Sequence, residues 1–136
     1  MNYQLDSGAY PPERAFKYDA GLDLRTPYGF TLEPGKSIVV DTGVHVEISV
    51  GMVGFLKSKS GLNVNYGITS EGVIDSGYTG AIRCKLYNHG GITKVFEAGD
   101  KITQLVILPV ILDDLVQVDR ISGTERGNSG FGSTGR

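Results

Sequence analysis

The chain is predicted to be an all-β, antiparallel sandwich or barrel, on three observations. Glycine takes 20 of 136 positions, against an average of roughly 7%, and it recurs between short segments rich in Val, Ile, Thr, Tyr and Phe. Val44, Val46, Ile48 and Val50 alternate with His45, Glu47 and Ser49, and Ile82, Cys84 and Leu86 alternate with Arg83, Lys85 and Tyr87, the period of half-buried strands. No window carries the spacing of a long amphipathic helix.

Taken in order, Ala20-Gly21-Leu22-Asp23-Leu24 reads as an apolar strand holding one carboxylate, and Phe30–Leu32 as a short strand closed by the turn Glu33-Pro34-Gly35. The alternating segment Val44–Val50 and the strand Met52–Lys57 follow. Leu62–Tyr66 allows one helical turn, kept short by Asn63, Asn65 and Gly67. Ile68–Ile74 is a strand, and Asp75-Ser76-Gly77 places Asp75 at the tip of a hairpin whose returning strand holds Ile82, Cys84 and Leu86. Turns at Asn88-His89-Gly90-Gly91 and Glu97-Ala98-Gly99-Asp100 bracket a strand at Lys94–Phe96. Ile102–Pro109 is apolar on both faces, with Ile102, Val106 and Leu108 on one side and Leu105 and Ile107 on the other, so both should be covered, one of them by a subunit interface on one reading. Gln104 there is either a satisfied amide near a strand end or a ligand contact. A last strand is expected at Val116–Ile121.

At 136 residues and 40% hydrophobic composition the chain is one domain, small for enclosing a deep pocket unaided. A net charge of -2 and the lack of any Lys/Arg run exclude a broad basic surface for nucleic acid. The single cysteine, Cys84, excludes a disulfide framework and is expected to be buried, which fits a reducing, cytoplasmic setting. No signal peptide is read. The longest apolar run, Leu105 to Leu112, is broken by Pro109 and falls short of the roughly 20 residues that cross a bilayer, so no membrane partner is expected. His45, on an outer strand face, and His89, in a turn, lack partners at metal-ligand spacing and are read as surface residues.

The segment 122–136 stands apart from a domain at 1–121, because its one large apolar side chain, Phe131, lies among glycines beside Arg126, Ser133 and Thr134. Such a segment buries too little to order itself. It is either a disordered tail or an arm that folds on an anionic ligand with a cation, hydroxyls, glycine amides and an aromatic face. It is not a Walker loop, since Gly132 is followed by Ser133 rather than by Lys and a helix. Lys57-Ser58-Lys59-Ser60-Gly61-Leu62 adds two cations and two hydroxyls at a glycine turn.

Together and in this order, Pro12-Glu13-Arg14-Ala15, Asp19-Ala20-Gly21-Leu22-Asp23-Leu24, Lys59-Ser60-Gly61-Leu62, Gly72-Val73-Ile74-Asp75-Ser76-Gly77-Tyr78-Thr79-Gly80, Gly99-Asp100-Lys101-Ile102-Thr103-Gln104-Leu105, Arg126-Gly127 and Gly130-Phe131-Gly132-Ser133-Thr134-Gly135 resemble the motifs of the trimeric dUTP diphosphatase (dUTPase) family. The resemblance implies a jelly-roll-like subunit of the β-clip type with a flexible C-terminal arm, and a homotrimer whose sites are shared between chains. It implies hydrolysis of dUTP to dUMP and pyrophosphate, which keeps uracil out of DNA and supplies dUMP for dTMP synthesis. By that resemblance Asp75 activates the attacking water, and Asp23 holds Mg²⁺ through coordinated waters. Lys59, Ser60, Gly61 and Gln104 would meet phosphates, with Arg126 on the terminal one. Gly72, Val73, Ile74 and Arg83 would meet the uracil edge, Tyr78 the deoxyribose, and Phe131, with Gly132 and Ser133, would close over the base and phosphates.

Two positions depart from the family pattern: Lys59 stands where arginine is common, and Gly77 where a second acidic residue is frequent. The related dCTP deaminase family uses a glutamate where this chain has Lys85. A non-catalytic sensor of dUTP would have no need of Asp75, Tyr78, Arg126 and Phe131 together.

Overall fold

The structure is a computed structural model, and it describes residues 1–130. Ten strands and one short helix follow one another as β1 (Tyr3–Leu5), β2 (Gly21–Arg25), β3 (Phe30–Leu32), β4 (Ser37–Asp41), β5 (Val44–Val46), β6 (Met52–Ser58), α1 (Ser60–Tyr66), β7 (Ile68–Ile74), β8 (Arg83–Asn88), β9 (Lys94–Phe96) and β10 (Lys101–Pro109). Strands β2-β10-β6-β7-β8-β4 form one six-stranded sheet, and β1-β5 and β3-β9 form two ribbons, with every pairing antiparallel. This is the all-β architecture that glycine punctuation and period-two alternation imply.

The alternation works as strand geometry requires, because successive side chains leave opposite faces. In β8, Cys84, Leu86 and Asn88 are buried while Arg83, Lys85 and Tyr87 are exposed. The core gathers Leu24, Val40, Val44, Ile68, Ile82 and Leu105 from the large sheet and its flanks, with Leu32 and Phe96 from β3 and β9. Burying each such side chain is worth about 1.5–3 kcal/mol. Cys84 is fully buried, and burial pushes its thiol up to about 11 despite hydrogen bonding from Thr103 and Ser70.

Polar side chains pin the middle of the sheet. Ser70 and Thr103 hydroxyls meet at 2.8 Å, Thr103 donates to the Lys57 carbonyl at 3.1 Å, and Ser58 donates to the Ser70 carbonyl at 3.2 Å. These bonds tie β6, β7 and β10 directly beneath the turn that leads into α1. Among the described residues no buried side-chain polar atom lacks a partner.

Three expectations change. The register of β10 on β2 shifts between Lys101 and Thr103, and this bulge turns Ile102 into the core with Leu105, off the face it was expected to share with Val106 and Leu108. Leu108 is exposed in the single chain, so that face is only partly covered. Val116–Ile121 forms no strand, because nothing in the described chain pairs with it, and Leu115 and Ile121 stand 98% and 84% exposed. No helix among the described residues is long and apolar enough to cross a membrane.

Candidate active site

One cleft opens where β2, β10 and β6 lie side by side. The registers put Asp23 opposite Gln104 and Gln104 opposite Lys57, so three polar side chains share one row on one face. The cleft, about 400 Å³, is lined by Ala15, Gly21, Asp23, Lys59, Gln104 and Val106, among others. Asp23 is 3% exposed, and its two carboxylate oxygens take separate cations, Lys59 on Oδ1 and Lys101 on Oδ2 at 2.8 Å. Burial opposes its ionisation, but the hydrogen bonds and charges of Lys101 and Lys59 outweigh that and hold the carboxyl below its ordinary 3.8. Gln104 donates from Nε2 to the Ser58 carbonyl at 3.0 Å. Any Cβ on Gly21 would lie 2.0 Å from Gln104 Oε1, so only glycine lets that amide enter the cleft.

The cleft's outer lip is a built turn. Arg14 donates to the Asp19 carbonyl and to the Ala20 carbonyl at 3.0 Å, and the Phe16 amide donates to Asp19 Oδ2 at 3.0 Å. Arg25 then reaches Glu13 Oε2 at 3.0 Å and the Gly99 carbonyl at 2.7 Å, which locks the approach to β2 onto the turn before β10. Lys59 leads into α1, whose first residues, Ser60 and Gly61, are exposed.

A second assembly sits at the end of β7. There the Tyr78 amide donates to the Asp75 carbonyl at 3.0 Å, closing a turn that leaves the Asp75 side chain exposed. The Tyr78 hydroxyl donates to the Ala81 carbonyl at 2.8 Å, and its ring covers Gly80, where any Cβ would fall 2.6 Å from the hydroxyl oxygen and 2.7 Å from Cζ. Glycine at 80 is therefore a condition of the ring's position.

A family model described as dUTPase matches residues 9–135. The deoxyuridine 5'-triphosphate nucleotidohydrolase of Tropheryma whipplei (strain Twist) is 42% identical, over 97% of this chain and 93% of that protein. The chain belongs to the dUTPase family. Among solved structures it is similar to the dUTPase of Staphylococcus bacteriophage 80alpha with dUPNHPP, at a TM-score of 0.87 and 33% identity over 99% of this chain and 98% of that one. It is similar also to an aspartate-to-asparagine mutant of the phage phi11 dUTPase of S. aureus, whose structure shows the coordination of a structural Mg(II) ion, at a TM-score of 0.80 and 30% identity over 88% and 98% of the two chains.

Within this dUTPase-family subunit the expected site residues fall into two groups. Asp23, Lys59 and Gln104 meet in the cleft, with Ser60 and Gly61 at its edge. Gly72, Val73, Ile74, Asp75, Tyr78 and Arg83 belong to the β7–β8 hairpin; Val73 faces out, Ile74 faces the core, and Gly72 sits over Leu56, 3.2 Å from where its Cβ would be. Arg83 is exposed, its Nε donating to Asp41 Oδ2 at 3.3 Å. Arg126 is exposed and donates from Nε to the Ser129 carbonyl at 3.2 Å, in contact with neither group. Phe131, Gly132 and Ser133 lie outside the described residues.

Gly72 pairs with Leu56, one residue along from the cleft row, but the Asp75 end of the hairpin does not meet the cleft in one chain. Ile74 pairs with Gly54 near the start of β6, whereas Lys59 follows Ser58 at its other end, a span of about 15–20 Å along the strand. Sequence reasoning missed Lys101, the second cation on Asp23. The signal lay in the quoted segment Gly99-Asp100-Lys101, and only the cross-strand register reveals it. It also read His45 as a surface residue and did not foresee that both of its ring nitrogens would be engaged, by the Thr79 carbonyl and Asp6 Oδ1.

Proposed function

We propose that this chain hydrolyses dUTP to dUMP and pyrophosphate in a homotrimer, at sites that join the cleft of one copy to the β7–β8 hairpin of another. The separation of Asp75 from the cleft along β6 supports this reading, since Asp75 and the cleft's phosphate-binding side chains then do not converge on one phosphorus within one subunit. The exposed apolar residues after Pro109, among them Leu112, Leu115, Val116 and Val118, support it too, as a neighbouring copy would cover them. The segment 122–136 then acts as an arm that orders over a site when substrate binds, carrying Arg126 and Phe131 to it.

In this reading Asp75 accepts a proton from water as the water oxygen attacks the α-phosphorus, and the bond from that phosphorus to the bridging oxygen breaks to release pyrophosphate. The carboxylate suits the task because no hydrogen bond or ion pair engages it among the described residues. Lys59, Ser60, Gly61 and Gln104 bind phosphate oxygens, and Arg126 clamps the terminal phosphate. The backbone of Gly72–Ile74 and the strand at Arg83 read the uracil edge, where a thymine methyl would clash and cytosine would leave buried groups unpaired, at about 1–3 kcal/mol per group. Tyr78, fixed through Ala81 and Gly80, packs where a 2′-hydroxyl would lie.

The donor set favours Mg²⁺ held indirectly. Among the described residues no cluster of three or more His, Cys, Asp and Glu could hold a metal, so an ion here takes phosphate and water oxygens, which suits Mg²⁺. Asp23 fits that arrangement, because each carboxylate oxygen keeps a lone pair beyond the one turned to a lysine and can accept from a coordinated water. Mg²⁺ bound there would offset the charge growing on pyrophosphate.

The observation that carries the reading is Asp75, exposed and unengaged at a hairpin tip beside a fixed tyrosine, in a chain of the dUTPase family. Deamination is disfavoured because Lys85, where a glutamate would be needed, is exposed and sits 5.1 Å over the Tyr87 ring. The test is pyrophosphate release from dUTP, dCTP, dTTP and UTP side by side. Turnover confined to dUTP is expected, and ammonia release from dCTP would overturn the assignment.

A further inference from the structure

The β7–β8 hairpin is tied to the segment that follows β1 by one side chain that has no direct part in the proposed chemistry. His45, in β5, turns Nδ1 to the Thr79 carbonyl at 2.9 Å and Nε2 to Asp6 Oδ1 at 3.2 Å. A carbonyl and a carboxylate both only accept, and neutral imidazole has a single N–H, so only the doubly protonated ring satisfies both contacts. Thr79 lies between Tyr78, whose amide closes the Asp75 turn, and Gly80, which the Tyr78 ring covers. The tie therefore bears on the loop that presents both Asp75 and Tyr78.

We propose that His45 is a positioning residue for hydrolysis: as an imidazolium it bridges Asp6 and the Thr79 carbonyl, and so fixes the Asp75–Ala81 loop, and this two-ended hold is broken on deprotonation, when the single remaining N–H serves only one partner. The inference rests on the reading of that hairpin as the water-activating, sugar-contacting half of the site.

The surroundings favour the cation. Asp6 follows β1, Asp41 ends β4, and Glu47 lies two residues along β5, turned to the Asn2 amide at 2.8 Å. Gln4, opposite on β1, is neutral, and Arg83 is engaged by Asp41, while the Met1 terminus lies beside Glu47 and Thr79. The hydrogen bonds to Thr79 and Asp6 raise His45 above its ordinary 6.5, and the charges of Asp6 and Asp41 add to this against some desolvation. With the folded value raised, the tie is complete below 6.5 and is lost as pH rises through the higher folded value.

The test uses the full-length wild-type enzyme, His45→Gln and Asp6→Asn, with kcat/KM for dUTP followed from about pH 6 to pH 9 and the His45 ring titrated by NMR. In the wild type an alkaline fall in kcat/KM is expected to track the NMR titration of His45 above 6.5. His45→Gln should start about tenfold lower and show no such fall. Asp6→Asn should keep the low-pH plateau and move the fall to lower pH, because the carboxylate that favours the charged ring is gone. A His45 titration at or below 6.5, or a fall that both variants leave in place, overturns the proposal. Absence of dUTP turnover at every pH overturns instead the reading of the site, and the NMR titration still judges the tie.

Discussion

Replacing Asp23 by asparagine keeps the shape of the side chain and removes the charge that two lysines share. Lys59 and Lys101 have side chains 27% and 34% exposed, so neither ammonium would be fully rehydrated by local adjustment. Breaking a wholly buried ion pair costs about 3–5 kcal/mol, and partial exposure of the lysines reduces this to roughly 2–3 kcal/mol. The sign of the pH dependence follows from the lowered carboxyl. A group whose folded value is depressed stabilises the protein fully above its unfolded value of 3.8, and that stability is lost as pH falls through the folded value. Asp23→Asn should therefore lower the urea-unfolding free energy by that amount near neutral pH, with the gap to wild type narrowing as pH drops below 3.8. Both proteins must be compared at one protomer concentration, since assembly contributes to apparent stability. Lys101→Met in the Asp23→Asn background should cost less than in the wild type, because its partner is already gone. A penalty that is absent near neutral pH, or that stays constant through the acid range, would show that the cluster is not the electrostatic anchor described.

Three further outcomes are expected. Asp75→Asn should leave dUTP binding, read by calorimetry, within a few-fold of wild type while kcat falls by about 10²–10⁴-fold; undiminished turnover would place the base elsewhere. Gly80→Ala should push the Tyr78 ring off its seat and reduce the kcat/KM preference for dUTP over UTP by about tenfold, roughly 1–2 kcal/mol, whereas an unchanged preference would free Tyr78 of any part in sugar selection. Deleting residues 122–136 should leave circular dichroism and sedimentation unchanged and lower kcat by about 10³-fold, and full activity would reduce the segment to a passive tail.

Elements were legible where local chemistry decided them and illegible where distant pairing did. Ile68–Ile74, Phe30–Leu32 and Lys94–Phe96 are bounded by turn residues and emerge with the limits the sequence implies. Tyr3–Leu5 is three residues, too short for alternation to show although the Asp6–Ala9 turn follows it, and it is a strand only because Val44–Val46 pairs with it. Ser37–Asp41 likewise depends on β8, and its exposed Val39 spoils a clean alternation. Val116–Ile121 shows the converse: the alternation is present, but a strand needs a neighbour, and the single chain offers none. The partners of His45 were illegible for the same reason, since they lie 34 and 39 residues away and alternation reports only which face a side chain leaves from.

In the proposed reaction the two aspartates would serve opposite ends. Asp23 is buried against two lysines, a setting that stabilises its anion and makes it a poor proton acceptor in the acid range, but a firm anchor for cations beside phosphate. Asp75 is exposed and unengaged among the described residues, so its lone pairs remain available to a water until a partner closes over it. Had the two lain side by side within one subunit, the ammonium groups of Lys59 and Lys101 would stand near the base and compete with water for it. In the proposed trimer their separation along β6 keeps the base apart from those cations until subunits meet, so that assembly, rather than the fold of one chain, would bring the proton acceptor to the phosphate. On that account a mixed trimer of Asp75→Asn and Asp23→Asn subunits should regain turnover that neither variant shows alone, because some of its sites combine an intact hairpin from one copy with an intact cleft from another.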